Sequence, residues 1–180
     1  MKLRPIFTLL ITALALQMNY AQSIVSTTPA NKNVILEELT GIGCGYCPDG
    51  HLKAQQLLDA NPGRVVVANI HEGSFASPNG SGTDFRTVWG DYVGSLFNVS
   101  GYPTGCINRR SFNGSVMNSR SAWIGHANTI LAESSPVNVG ATANLDLGAR
   151  VATVNVEAYY TSTGTGNQNK NKSSETDDFP

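Results

Sequence analysis

Two of the chain's three cysteines, Cys44 and Cys47, stand two residues apart in GIGCGYCPDGHLKAQQLL, residues 41–58. An apolar run precedes the pair, and a run with helical spacing follows it. A sulfur at the start of a helix meets unpaired N–H groups and the positive end of the helix dipole, and both favour the thiolate. C-x-x-C cysteines in such places have pKa values lowered from about 8.5 to between roughly 3.5 and 7.5. Cys47, one turn further on, can then attack a mixed disulfide formed at Cys44. Two other chemistries fit the same residues. An exported chain would keep the pair as a structural disulfide, although closing so small a loop stabilises little. Cys44, Cys47, His51 and the third cysteine, Cys106, also make a soft ligand set for zinc or copper. Their C-x2-C-x3-H order is not a standard finger spacing. Pro48, where C-x-x-C-H would need histidine, excludes haem attachment.

The elements around the pair read as a crossover. Val34, Ile35 and Leu36 form a continuous apolar run, as in a strand buried on both faces. From Pro48 to Ala60, Leu52, Ala54, Leu57 and Leu58 follow a helical period, Pro48 suits the first turn, and Asn61-Pro62-Gly63 ends it. Val65, Val66, Val67 and Ile70 mark a second buried strand, so the unit is a right-handed parallel β-α-β. After a Gly/Ser/Pro loop from Ser74 to Thr83, a core-facing helix is expected from Phe85, Val88, Trp89, Tyr92, Val93, Leu96 and Phe97. A short strand covers Thr104 to Asn108, Asn113-Gly114 signals a turn, and a last helix carries Trp123, Ile124, Ala127 and Leu131. Beyond Pro136 the period changes to two, with Val137, Val139, Ala141, Ala143 and Leu145, then Val154, Val156, Ala158 and Tyr160. These two runs predict a hairpin around DLGAR. The remaining polar stretch buries nothing and is expected to be disordered.

The chain has 180 residues, a formal net charge of -1 and only 14% charged residues. No basic stripe appears, which argues against nucleic-acid binding. Lys2 and Arg4, an apolar stretch from Ile6 to Leu16 and the small Ala21 describe a secretory signal peptide cleaved after Ala21. The apolar stretch falls short of the roughly 20 residues of a membrane helix, so the mature chain is expected to have no transmembrane span.

Together, VILEELTGIGCGYC and GYPTGCINR resemble the thioredoxin-like fold, and within it the Omp28-related outer membrane proteins of Bacteroidetes. The resemblance covers about Asn33 to Glu133. It implies an α/β domain with a central mixed sheet flanked by helices, acting as a thiol-disulfide oxidoreductase. Cys44 would be the nucleophile and Cys47 the resolving thiol, forming a redox-active disulfide that serves in place of any cofactor or metal. Pro103 in GYPT takes the place of a cis-proline facing the pair. Glu38, six residues before Cys44, takes that of a buried acid; strand alternation alone leaves Glu37 as the other candidate. Gly45, Tyr46, Tyr102 and Thr104 would bind substrate. Gly43 replaces the usual tryptophan before the first cysteine, and Gly45-Tyr46 replaces Gly-Pro between the cysteines.

The implied organisation is a signal peptide over 1–21, a leader over 22–32 and a thioredoxin-like domain over 33–135. A β-hairpin, or the opening of an incomplete β-sandwich, follows over 136–163, with a disordered tail over 164–180. Location in the periplasm, at the outer membrane or outside the cell follows, with protein or small thiol and disulfide substrates and an envelope redox partner. A second reading, from another class, is a non-catalytic outer-membrane-associated or surface binding module with a structural disulfide, because a fold does not guarantee activity.

Overall fold

The computed structural model describes residues 23–78, 82–97, 99–162 and 176–178. The signal peptide read over 1–21 lies outside them. The chain forms two compact units, one of Ala30–Ser135 and one drawn from Met1–Pro29 and Pro136–Pro180.

The Ala30–Ser135 unit has a four-stranded sheet in the order β2-β1-β3-β4. Strand β1 (Val34–Thr40) pairs in parallel with β2 (Val65–His71) and antiparallel with β3 (Thr104–Ile107), which pairs antiparallel with β4 (Asn118–Ser119). Helix α1 (Cys47–Ala60) makes the β1–β2 crossover; α2 (Val88–Ser95) precedes β3, and α3 (Trp123–Leu131) follows β4. This is a mixed α/β sheet flanked by helices. The core lies on one face, where Val34, Leu36, Val65 and Ile107 meet Ala54 and Leu57 of α1 and Trp123, Ala127, Ile130 and Leu131 of α3. Buried Trp123 keeps its polar edge satisfied by donating from Nε1 to the Asn118 carbonyl at 2.9 Å.

The other face differs from the sequence expectation in two ways. Ile35 and Val66 are exposed, so β1 and β2 are not covered on both faces along their whole length. Helix α2, with only eight residues, reaches just the far end of that face. Nor does α2 bury its large side chains, for Trp89 is 75% exposed and Val88 and Tyr92 are exposed as well. Gly90 and Gly94, one turn apart, are its buried residues. A Cβ on Gly90 would come within 3.2 Å of Ile70 Cγ2, and one on Gly94 within 2.6 Å of Glu72 Oε2. The helix thus packs backbone-first, and its aromatic residues point outward.

Asn113 and Gly114 both have positive φ, 52° and 84°, in the tight turn closed by the Phe112–Ser115 bridge. Asn-Gly is the pair this mirror-image turn favours.

In the other unit, β5 (Val137–Asp146) and β6 (Val151–Tyr160) form the expected hairpin, registered from Val137↔Tyr160 to Asp146↔Val151. The tail departs from expectation at Thr176–Asp178, which form β7 and pair antiparallel with β6. Residues 163–175 lie outside those described. Ser23 donates to Glu157 Oε2 at 2.9 Å and Asn138 donates to the Ser26 and Thr28 carbonyls, so the segment before Pro29 is fixed to this hairpin. Gly140 has to be glycine, because a Cβ there would lie 2.5 Å from the Ile24 carbonyl oxygen. Among the described residues no helix is long and apolar enough to cross a membrane.

Two glycines in the Ala30–Ser135 unit predict opposite outcomes. A Cβ on Gly41 would sit 2.4 Å from backbone atoms of Phe75, whereas one on exposed Gly125 in α3 meets nothing within 4 Å. Gly41→Ala should therefore cost about 1–3 kcal/mol through overpacking. Gly125→Ala should stabilise by up to about 1 kcal/mol through helix propensity. Urea unfolding of both variants checks the two signs.

Candidate functional site

The site begins where β1 ends. The Gly43 N–H donates to the Phe75 carbonyl at 2.8 Å and the Cys44 N–H to the Gly41 carbonyl at 3.1 Å, which fixes the loop ahead of α1. Cys47 is the first residue of α1, with Tyr46 as its N-cap and Pro48 in the first turn. Cys44 therefore sits in the turn ahead of the helix rather than opening it. The two cysteines are joined as a disulfide, and Cys44 is 8% exposed against 1% for Cys47. Exposed Tyr46 lies under the Arg120 guanidinium, 5.6 Å from its ring centroid, while Arg120 also pairs with Asp49. Gly45 is exposed, with open space where a side chain would project.

The Tyr102–Pro103 peptide bond is cis, and Pro103 is buried. Its ring faces the first turn of α1, for a Cβ on Gly50 would lie 2.9 Å from Pro103 Cγ. Tyr102 donates its hydroxyl to buried Glu72 and stacks edge-on against Phe75 at 5.7 Å. Burial, followed by the bond to Glu72, raises the Tyr102 pKa well above the ordinary phenol value. Thr104 donates to the Asn118 carbonyl at 3.2 Å. Ser100, Tyr102, Pro103, Thr104, Ser115 and Ser119 line a mainly polar groove of about 310 Å³ beside this loop.

Strand alternation separates the two glutamates. Glu38 is fully buried on the α1 face, and its Oε2 lies 3.2 Å from His51 Nδ1, while its Oε1 has no hydrogen-bond partner. The ideal Cβ of Gly50 would be 2.5 Å from that Oε1, so the carboxyl is wedged beneath the first turn of α1 against Pro103. Burial raises the Glu38 pKa, and nearby His51 offsets part of the rise. Glu37 points to the opposite face, where it takes two bonds from Arg109, at 2.7 and 2.6 Å, and one from Cys106 Sγ at 3.2 Å. The Arg109 bond outweighs burial and lowers the Glu37 pKa. Cys106 is a buried free thiol whose pKa is pushed up to about 12 by burial and then by Glu37.

These positions decide how the sequence candidates group. Cys44, Cys47, Glu38 and Pro103 converge on the first turn of α1. Cys106 lies on the opposite face in register with Glu37, so the sulfur and imidazole set weighed for zinc or copper is not brought together. Among the described residues no group of three or more His, Cys, Asp or Glu is arranged to hold a metal ion. His51, the imidazole of that set, is half-exposed and contacts Glu38. The Tyr102–Glu72 bond was not foreseen, because it joins the β2 end to the proline loop across 30 residues.

No protein-family model matches the sequence, and no curated protein matches it. Among solved structures it is similar to HBP35 of Porphyromonas gingivalis, with 19% identity and a TM-score of 0.52 over 73% of this chain and 43% of that one. A structural-genomics target protein from Agrobacterium tumefaciens aligns at 15% identity and a TM-score of 0.47, over 71% of this chain and 57% of that one. The first likeness and the sheet order define the class: the chain has a thioredoxin-like α/β fold with a C-x-x-C disulfide. It spans less than half the length of HBP35.

Proposed function

We propose that the chain is an exported thiol-disulfide oxidoreductase, Omp28-related in type, that works in the periplasm or at the outer membrane. The observation that carries this reading is the Cys44–Cys47 disulfide at the start of α1, above a buried carboxyl and beside a cis-proline loop. In the reducing direction the Cys44 thiolate attacks a substrate disulfide, forming a Cys44–substrate bond and expelling one substrate thiolate. Cys47 then gives its proton to the Glu38 carboxylate and attacks the Cys44 sulfur. The Cys44–Cys47 bond closes and the second substrate sulfur leaves. The reverse sequence donates a disulfide. Protein or small thiol and disulfide substrates lie along the Tyr102–Thr104 edge and over Gly45 and Tyr46. A redox partner in the envelope restores the cysteines, and no cofactor or metal is needed.

Support for export comes from the charged, apolar and small-residue order of the first 21 residues. The rival reading, a binding module with an inert disulfide, has the near burial of both sulfurs in its favour. Equilibrating the protein with glutathione or dithiothreitol buffers separates the two. An active pair should have a potential between about -270 and -120 mV. A pair still oxidised below about -300 mV would behave as a structural staple, and the oxidoreductase reading would fail.

A further inference from the structure

Glu38 is fully buried, so a proton it takes from Cys47 needs a way out. Resting on the oxidoreductase reading, we infer that His51 is that way out: a proton relay linking the buried carboxyl to solvent. The placement is specific. His51 follows Cys47 by one turn of α1, which brings its Nδ1 to 3.2 Å from Glu38 Oε2. Its side chain is 43% exposed, so the ring spans from the buried acid to water. Its Nε2 lies 3.5 Å from Oγ1 of buried Thr40, which orients the ring from the strand side.

Among the described residues, the other groups facing Glu38 offer no outlet. Its strand partners are Asn69 on β2 and Gly105 on β3, neither of which titrates. The loop before β3 contributes the Pro103 ring, and α1 contributes Gly50 beside His51. Asp49, also on α1, is exposed and engaged with Arg120. His71, level with Thr40, packs its ring against Phe85 at a tilt of 41°, with centroids 5.1 Å apart.

Cys47 becomes a thiolate only as its S–H proton moves to Glu38 and on to His51, and its new bond to the Cys44 sulfur then displaces the substrate thiolate. Glu38 passes the proton to Nδ1 of His51, and the ring releases one from Nε2 to water. Exchange with water restores the starting tautomer, and no electrons pass through the ring.

The two steps can be timed separately with an aromatic disulfide whose released thiolate is coloured. The first burst reports attack by Cys44, and the second reports resolution by Cys47. In His51→Phe the ratio of the second rate to the first should fall about tenfold, less than the roughly hundredfold or more of a group that takes the proton directly, because His51 acts through Glu38. Added imidazole should restore part of that ratio. His51→Gln keeps a hydrogen-bonding group near Glu38 but cannot relay a proton, so it should be as slow as His51→Phe. A wild-type ratio in His51→Phe, or full recovery in His51→Gln, would overturn the relay. If the native protein shows no first burst, the oxidoreductase reading itself fails, a different outcome from loss of the second burst alone.

Discussion

Cys44→Ser is expected to abolish catalysed disulfide exchange, whereas Cys47→Ser should stop the reaction halfway with substrate covalently held. The asymmetry follows from position. Cys44 lies in the turn ahead of α1 and keeps some exposure, while Cys47 is the first helical residue and is almost wholly covered. A substrate sulfur can reach the first and not the second. Serine is a far weaker nucleophile than a thiolate, so turnover in Cys44→Ser should drop to the uncatalysed background. Cys47→Ser retains the attacking sulfur and lacks the resolving one, so the Cys44–substrate disulfide should accumulate and persist until an external thiol is added. Mass spectrometry of the quenched reaction reads both outcomes. Cys106 should stay unmodified, since its thiol is buried and its pKa is pushed up to about 12. A stable adduct on Cys47 in Cys44→Ser, at a rate matching the native first step, would reverse the assigned roles.

What was legible in the sequence were the features carried by local spacing. The C-x-x-C pair, Pro48 in the first helical turn and the stop at Asn61 are short-range patterns, and α1 follows them. The parallel pairing of β1 and β2 follows from the crossover rule, whereas the antiparallel places of β3 and β4 rest on pairings between distant segments. Helix α2 was misread because its buried stripe consists of Gly90 and Gly94, which carry no hydrophobic signal. The visible apolar stripe, Val88, Trp89 and Tyr92, faces outward instead. Strand β7 was missed for a related reason: it joins the sheet through backbone pairing, and its residues are Thr-Asp-Asp. Glu38 and Glu37 could be separated only once the sheet had a covered face. The contact between Glu38 and His51 spans 13 residues and depends on how α1 crosses β1. No local period encodes such a pair.

The same burial that suits Glu38 to receive a proton should make it a stability liability, and Glu38→Gln should expose both effects. A fully buried carboxyl with one unpartnered oxygen is harder to ionise, which is why its pKa is raised above the ordinary 4.5. The native fold therefore binds that proton more tightly than the unfolded chain does. This contribution to stability is complete below about pH 4.5 and is lost as pH rises through the raised native value. Glutamine has nearly the same shape and no charge to bury, so the variant should gain stability over the native protein at neutral pH. The gain should shrink towards zero below about pH 4.5, where the native carboxyl is already neutral. Activity should move the other way. Without a base beneath Cys47, the second burst should slow by about a hundredfold, at the low end of what a positioned general base supplies. Urea unfolding of the oxidised protein from pH 4 to 8 and burst kinetics of the reduced protein measure the two effects independently. A variant less stable than the native protein at pH 8 would mean that the His51 contact outweighs desolvation of the carboxylate. Unchanged resolution would remove Glu38 from the chemistry, leaving it a buried polar group that fills the space under Gly50.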